Sequence, residues 1–281
     1  MSDQIAPWLE RWGLELEGRP PPPGGREPYP GAGEVAFVRR GARQLVLKLL
    51  PERSDEYRSA LVLRHWDGRG AVRVADAAPG AVLIERARPG DDLSDLVRAG
   101  RDDEATLILC EVMAALDRPA PQGGGFRSIA DWSEGFARDR AAALNVGMPA
   151  ELIDQGEALF FELCASQAEP ILLHGDLQHY NVLNDAERGW LAIDPKGVLG
   201  EPAYETGAML RNPTANPDLY ADAAIIARRT HLICVRLGYA KARVLGWCFA
   251  QWVLSILWAI EDGLPYASDW LRGPLAVKAL L

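Results

Sequence analysis

The stretch LLHGDLQHYNVLND, residues 172–185, sets two histidines, two aspartates and two asparagines between apolar runs. It leaves one short apolar segment, PILLHGD, and leads toward a second, GWLAIDPKG, both of which read as strands. Asp176 and Asn181 lie five positions apart in the connecting loop, so their side chains project from the same edge, and Asp194 closes the returning strand. Any one of these residues alone reads as a turn cap. Three oxygen-bearing side chains in a strand, loop, strand frame form a more specific signal. They suit a hard cation such as Mg²⁺, which takes few protein ligands and keeps places for water and phosphate oxygens.

Outward from this hairpin the chain divides into two unlike parts. Before it, EVAFVRR and LVLKLL read as a strand pair joined by GARQ, and SDEYRSALVLRHWDG reads as a helix with Ser54 at its N-cap and Gly68 at its exit. AVRVADAAPGAVLIERA gives two more strands about Pro79-Gly80. An N-terminal amphipathic helix through Gly18 and a Pro/Gly connector, GRPPPPGGREPYPGAG, precede them. After Ala87 the pattern turns helical, in DDLSDLVRAG, DDEATLILCEVMAALDR, SIADWSEGFARDRAAALN and PAELIDQGEALFFELCASQ, and in two long apolar segments between Ala221 and Ile260. The expectation is an α+β protein with a small β-rich lobe, residues 1–87, and a mainly helical lobe, residues 88–281. A ligand cleft would lie between the lobes.

Composition narrows the function classes. With 281 residues, 48% hydrophobic and 25% charged, the chain has ordinary globular composition. Its net charge of −9, with no Lys/Arg block, argues against nucleic acid and favours a polar or cationic small molecule. Cys110, Cys164, Cys234 and Cys248 sit apart among apolar neighbours and read as reduced core residues. The N-terminus lacks the basic start and apolar run of a secretory signal, which points to the cytoplasm. VLGWCFAQWVLSILWAI, residues 244–260, is about one membrane span long but carries Gly246, Gln251 and Ser255, and reads as a buried core helix.

From Val35 to Ala259 the chain resembles the aminoglycoside phosphotransferase family, within it the streptomycin and hydroxyurea kinase branch. The likeness is sharpest in LLHGDLQHYNVL and WLAIDPKGVLGEPAYETG. It implies a bilobal protein-kinase-like fold with a small antiparallel β-sheet N-lobe and a helical C-lobe, and an ATP-dependent kinase of a small-molecule hydroxyl. By that resemblance Asp176 is the catalytic base, Asn181 and Asp194 bind Mg²⁺, and Lys48 in LVLKLL holds the α/β-phosphates of ATP. An ammonium within an apolar strand does need an anion. Related sequences carry an acidic residue at the position of Ser59; Glu56, one turn earlier, is assigned as the lysine's partner, with Asp55 and Glu52 as competitors. Backbone groups of Glu85, Arg86 and Ala87, at the lobe connection, are assigned to the purine edge. Gly31 and Gly33 in GAGEVAFV fall short of a full glycine-rich loop. His174 is read as a brace of the loop, with His179 and Tyr180 open between packing and substrate contact. Acceptor contacts are sought among Glu205, Asp218, Asp222, Glu261 and Asp262. Two other readings use the same residues: a degenerate kinase that only binds nucleotide, and a metal hydrolase built on His174, Asp176, His179 and Asp194. An acceptor metabolite unrelated to the antibiotics is also open, because fold likeness does not name a substrate.

Overall fold

The computed structural model describes residues 4–21, 33–214 and 217–281. Its first part is an antiparallel sheet between helices. Helix α1 (Ala6–Trp12) ends at Gly13, whose φ of 60° turns the chain out of the helix. The amphipathic segment therefore does not continue to Gly18 as one helix: Glu15–Gly18 forms strand β1, paired with β2 (Val35–Arg40) at the sheet's edge. Strand β3 (Arg43–Leu49), helix α2 (Ser59–Trp66), and strands β4 (Val74–Ala78) and β5 (Ala81–Glu85) follow. The five strands lie in the order β1-β2-β3-β5-β4. Both anticipated hairpins are present. The anticipated helix from Ser54 opens instead with a 3₁₀ turn, Asp55–Arg58, capped by Ser54 Oγ accepting from Glu56 N at 3.2 Å, and becomes α-helical only at Ser59.

Strand alternation gives the sheet two faces. Leu45, Leu47 and Leu49 of β3, with Ala36, Val38, Ala81 and Leu83, pack against Ile5, Trp8 and Leu9 of the N-terminal segment. The opposite face carries Val46, Leu50, Val82 and Ile84, and joins Val62, Leu63 and Trp66 of α2 in an apolar core continuous with the rest of the molecule. Lys48, between Leu47 and Leu49, falls on this second face, toward α2. The period of the strand thus points the lysine inward rather than into solvent.

The remainder is mainly helical: β6 (Pro89–Asp92), α3 (Ser94–Arg98), α4 (Asp102–Leu116), β7 (Arg127–Ser128), α5 (Ile129–Trp132), α6 (Glu134–Asn145), α7 (Ala150–Ala165), β8 (Ile171–Leu173), β9 (Val182–Asp185), β10 (Gly189–Ala192), β11 (Val198–Gly200), α8 (Thr206–Leu210), α9 (Pro217–Tyr220), α10 (Ala223–Leu237), α11 (Lys241–Glu261) and α12 (Arg272–Lys278). Helix α11 is long and apolar enough to span a membrane by length and composition alone, yet Val244 to Leu254 is buried throughout, against α6, α7 and α8. It is a core helix, as its polar interruptions indicated. Strand β9 pairs with β10 and β6, and β8 with β11, so two three-stranded sheets frame the polar loop.

Candidate active site

The loop between β8 and β9 is held from below by three buried groups. His174, 1% exposed, bonds through Nε2 to Ile193 O at 2.8 Å, and its Nδ1 accepts from Asp176 N at 3.3 Å. Burial lowers its pKa, which keeps the ring neutral and able to donate at one nitrogen while accepting at the other. The ring also stacks on Trp66 of α2, centroids 6.0 Å apart. The backbone oxygen of His174 accepts from Lys196 N at 2.8 Å and Gly197 N at 3.2 Å, which ties the loop to the strand end bearing Asp194. Gly175 has φ 84°, and a Cβ there would stand 2.8 Å from the Trp132 ring, so the turn before Asp176 requires glycine.

Glu205 supplies the third brace. It lies on the 3₁₀ turn Pro202–Glu205, 3% exposed, and its carboxylate accepts from Gly175 N at 2.9 Å and Leu177 N at 3.4 Å. Burial pushes its pKa up to about 7 against the opposing pull of those N–H groups. This overturns its assignment as an acceptor contact: it grips the backbone on both sides of Asp176. The GEPAYE motif was visible in the sequence; that its last residue points inward was not.

Above these supports sit the predicted catalytic side chains. Asn181 donates from Nδ2 to Asp176 O at 2.9 Å and to Asp176 Oδ2 at 3.5 Å, joining the two across the loop. The other carboxylate oxygen of Asp176, Oδ1, lies 3.3 Å from Arg211 Nη2, a partner that sequence reading missed because Arg211 is 35 positions away beyond α8. Ile193 N donates to Asn181 O at 2.9 Å, which sets Asn181 beside Asp194 along the chain. Asp194 has φ 57°, an uncommon conformation for a residue with a side chain.

Lys48 joins the sheet to this hairpin. It is buried and ion-paired with both Glu56 and Asp194, the latter at 2.7 Å. Burial alone would lower its pKa, but Asp194 first and then Glu56 outweigh it, so the ammonium is held above its ordinary value. Glu56 is pushed upward by burial and by the charge of Asp194. Among the competing acids, Asp55 instead pairs with Lys196 Nζ at 3.4 Å, and Glu52 is exposed. Ser59 is buried with its hydroxyl unpartnered; the 3₁₀ turn brings Glu56 to the lysine from one turn earlier.

Other anticipated residues fall differently. The Glu85 side chain accepts from Arg73 N at 2.8 Å and pairs with Arg188; Arg86 lies over the Phe37 ring at 3.5 Å and pairs with Glu17; Ala87 is buried. Any purine contact at this connection therefore belongs to the backbone. Gly31 lies outside the described residues, and Gly33 passes so near Leu49 O that a Cβ would stand 1.8 Å from it. His179 is fully buried, both ring nitrogens unpartnered, and its pKa is pushed down to about 3 by burial and by Arg229. It packs below the loop, away from His174, which divides the histidines that a metal hydrolase would bring together; no cluster of three His, Cys, Asp or Glu side chains able to hold a metal occurs among the described residues. The other acceptor candidates have structural partners: Asp222 caps α10, Glu261 pairs with Arg138, and Asp218 lies 3.4 Å from Arg272.

Comparison with known proteins agrees with this geometry. A family profile described as aminoglycoside/hydroxyurea antibiotic resistance kinase matches residues 32–263. The chain is 36% identical to the streptomycin 3''-kinase of Klebsiella pneumoniae, over 80% of this chain and 84% of that one. It is 32% identical to the hydroxyurea phosphotransferase of Kitasatospora aureofaciens, over 94% of this chain and 74% of that one. Among solved structures, a thermostable mutant of the aminoglycoside phosphotransferase APH(4)-Ia, in ternary complex with ADP and hygromycin B, superposes with a TM-score of 0.66 at 17% identity, covering 98% of this chain and 97% of that one. That similarity carries the protein-kinase-like fold. Taken with the match along most of its length, it places the chain in the aminoglycoside/hydroxyurea antibiotic resistance kinase family, as a small-molecule phosphotransferase acting on a hydroxyl group.

Proposed function

We propose that the protein transfers the γ-phosphate of ATP, with Mg²⁺, to a hydroxyl of a small polar compound, residues 1–87 holding the nucleotide and residues 88–281 supplying the catalytic loop and acceptor site. Asp176 orients the acceptor hydroxyl and takes its proton. Lys48, held by Glu56, meets the α/β-phosphates, and the backbone of Glu85 to Ala87 faces the purine. Phosphoryl transfer asks little covalent work of a protein, so positioning and charge neutralisation carry the rate.

The residues present fit a divalent cation. The Asn181 amide nitrogen is committed to Asp176, leaving its carbonyl oxygen as a hard ligand, and Asp194 adds a carboxylate. When bound, Mg²⁺ neutralises phosphate charge. The observation that carries the reading is the Lys48 bridge: one ammonium joins a carboxylate of the small lobe to the Asp194 carboxylate, beside the Asp176–Asn181 pair. Streptomycin-like aminocyclitols, hydroxyurea and small hydroxylated metabolites form the candidate acceptor set. Release of ADP from Mg²⁺-ATP across such a panel tests the reading. Turnover of at least one acceptor that vanishes without Mg²⁺ is the expected result; nucleotide binding without transfer to any acceptor is what a degenerate kinase would give.

A further inference from the structure

The acceptor side of Asp176 is lined by cations. Its Oδ2 faces Asn181 and so the proposed metal side, while its Oδ1 faces Arg211 at 3.3 Å, which places the guanidinium on the other flank of the carboxylate. Arg211 is not fully engaged there, since its Nε is buried without a hydrogen-bond partner. Lys196 stands close to both: Asp176 raises its pKa and Arg211 opposes that, and its ammonium reaches Asp55 at 3.4 Å and lies 5.9 Å from the centre of the Trp258 ring. Trp132 packs edge-on against Trp258 and abuts Gly175, so the apolar wall beside these cations continues to the catalytic loop.

Carboxylates do not balance them. Glu205 grips the loop backbone, Glu201 is buried on Arg243 and Trp247, Asp139 is buried on Arg138, and Glu261 also pairs with Arg138. A guanidinium or ammonium on the acceptor, brought to the hydroxyl that Asp176 must bind, would meet Arg211 and Lys196 at close range in a partly buried place, where like charges are costly. A carboxylate or an uncharged polar group there would find donors instead.

Resting on the kinase reading above, we infer that Arg211 and Lys196 make this site select an acceptor whose reacting hydroxyl is flanked by neutral or anionic groups, and select against one that presents a cation there. The overall charge of −9 suggested the reverse, but the relevant field is the local one.

The test compares three probes on the full chain with Mg²⁺-ATP: streptomycin, which bears guanidinium groups; hydroxyurea, which is neutral; and a set of small hydroxycarboxylates. Transfer is read as kcat/KM from ADP release. Binding is read separately, by calorimetry on chain loaded with a non-hydrolysable ATP analogue. Wild type is expected to favour the anionic or neutral probes over streptomycin by about tenfold or more, and Arg211→Gln to shrink that ratio by about tenfold, the size expected for losing one charge-assisted contact. Arg211→Lys should keep most of the selectivity, and the KM for ATP should stay within about twofold in both variants, since the change lies on the acceptor side. If both probe classes fall together in Arg211→Gln, the arginine only supports Asp176 and the inference is overturned. Preference of the wild-type chain for streptomycin overturns it equally, and needs no variant to fold. Failure to bind Mg²⁺-ATP at all would instead strike the kinase reading, and this inference with it.

Discussion

Two buried clusters of opposite charge behave differently in this molecule. In the helical lobe, Arg229 is 1% exposed and every direction of its guanidinium is answered: both oxygens of Asp102, Asn212 O at 2.7 Å and Leu210 O at 3.5 Å. Arg228 adds a second cation to Asp102, and together they lower its pKa against the upward push of burial. This cluster pins α10 to the start of α4 and to the chain after α8. In the cleft, one Lys48 ammonium faces two carboxylates, Glu56 and Asp194, each more than a quarter exposed. The first cluster is closed and saturated, which is the condition for a buried charge to be tolerated. The second carries surplus negative charge at an open edge. A cation or a rearrangement on ligand binding would relieve it, and that is where chemistry belongs.

The contrast can be broken most sharply at Asp194. Asp194→Ala is expected to abolish transfer, because it removes a metal ligand and a partner of Lys48, while the melting temperature stays close to wild type since surplus negative charge is being removed. ADP release and a thermal melt on the same preparation check it; wild-type rates at ordinary Mg²⁺ would falsify the assignment.

Asp176→Asn comes next. Loss of a general base lowers kcat on the order of 10²- to 10⁴-fold, yet an amide still meets Asn181 and keeps the turn, so nucleotide affinity and stability should hold. A stable variant with wild-type kcat would reduce the loop to a set of caps.

At the closed cluster the effects should exchange places. Arg229→Met strands the Asp102 carboxylate in a buried site, and breaking such a pair costs about 3–5 kcal/mol, with Arg228 keeping the loss toward the lower end. Urea unfolding measures it. Activity per folded molecule should change little, and a fall in kcat without a fall in stability would erase the distinction between the clusters.

The smallest effect concerns pH. Glu205 has its folded pKa raised from 4.5 to about 7, so its contribution to stability is complete below 4.5 and is lost as pH rises through 7. His179, held near 3, acts in the opposite sense below its ordinary value of 6.5, so only a difference between proteins isolates the glutamate. Relative to Glu205→Gln, wild type should lose stability from about pH 5 to 7, with a slope on the order of 1 kcal/mol per pH unit at most. Parallel curves for the two proteins would mean the carboxyl does not titrate in that window.

Sequence alone determined the elements whose signal is local. The alternation around Lys48, the Pro79-Gly80 hairpin, the apolar run of α11 and the crowded loop from His174 to Asn181 all lie within short windows, where residue period and turn chemistry decide the structure. Family likeness added roles to Asp176, Asn181 and Asp194 because their motif is compact. Where a local signal competed with another, the reading slipped: the N-terminal helix breaks at Gly13 because an open sheet edge offered β1 a partner, and Glu15–Gly18 took it. Tertiary structure alone decided which distant side chains met. Glu205 reaches back 30 positions to the Gly175 amide, Arg211 reaches back 35 to Asp176, and Arg229 crosses 127 to Asp102. An acidic residue on a helix and one facing a buried amide look alike in one dimension. Burial separates them, because a charge taken from water must find its partner wherever the fold has placed one.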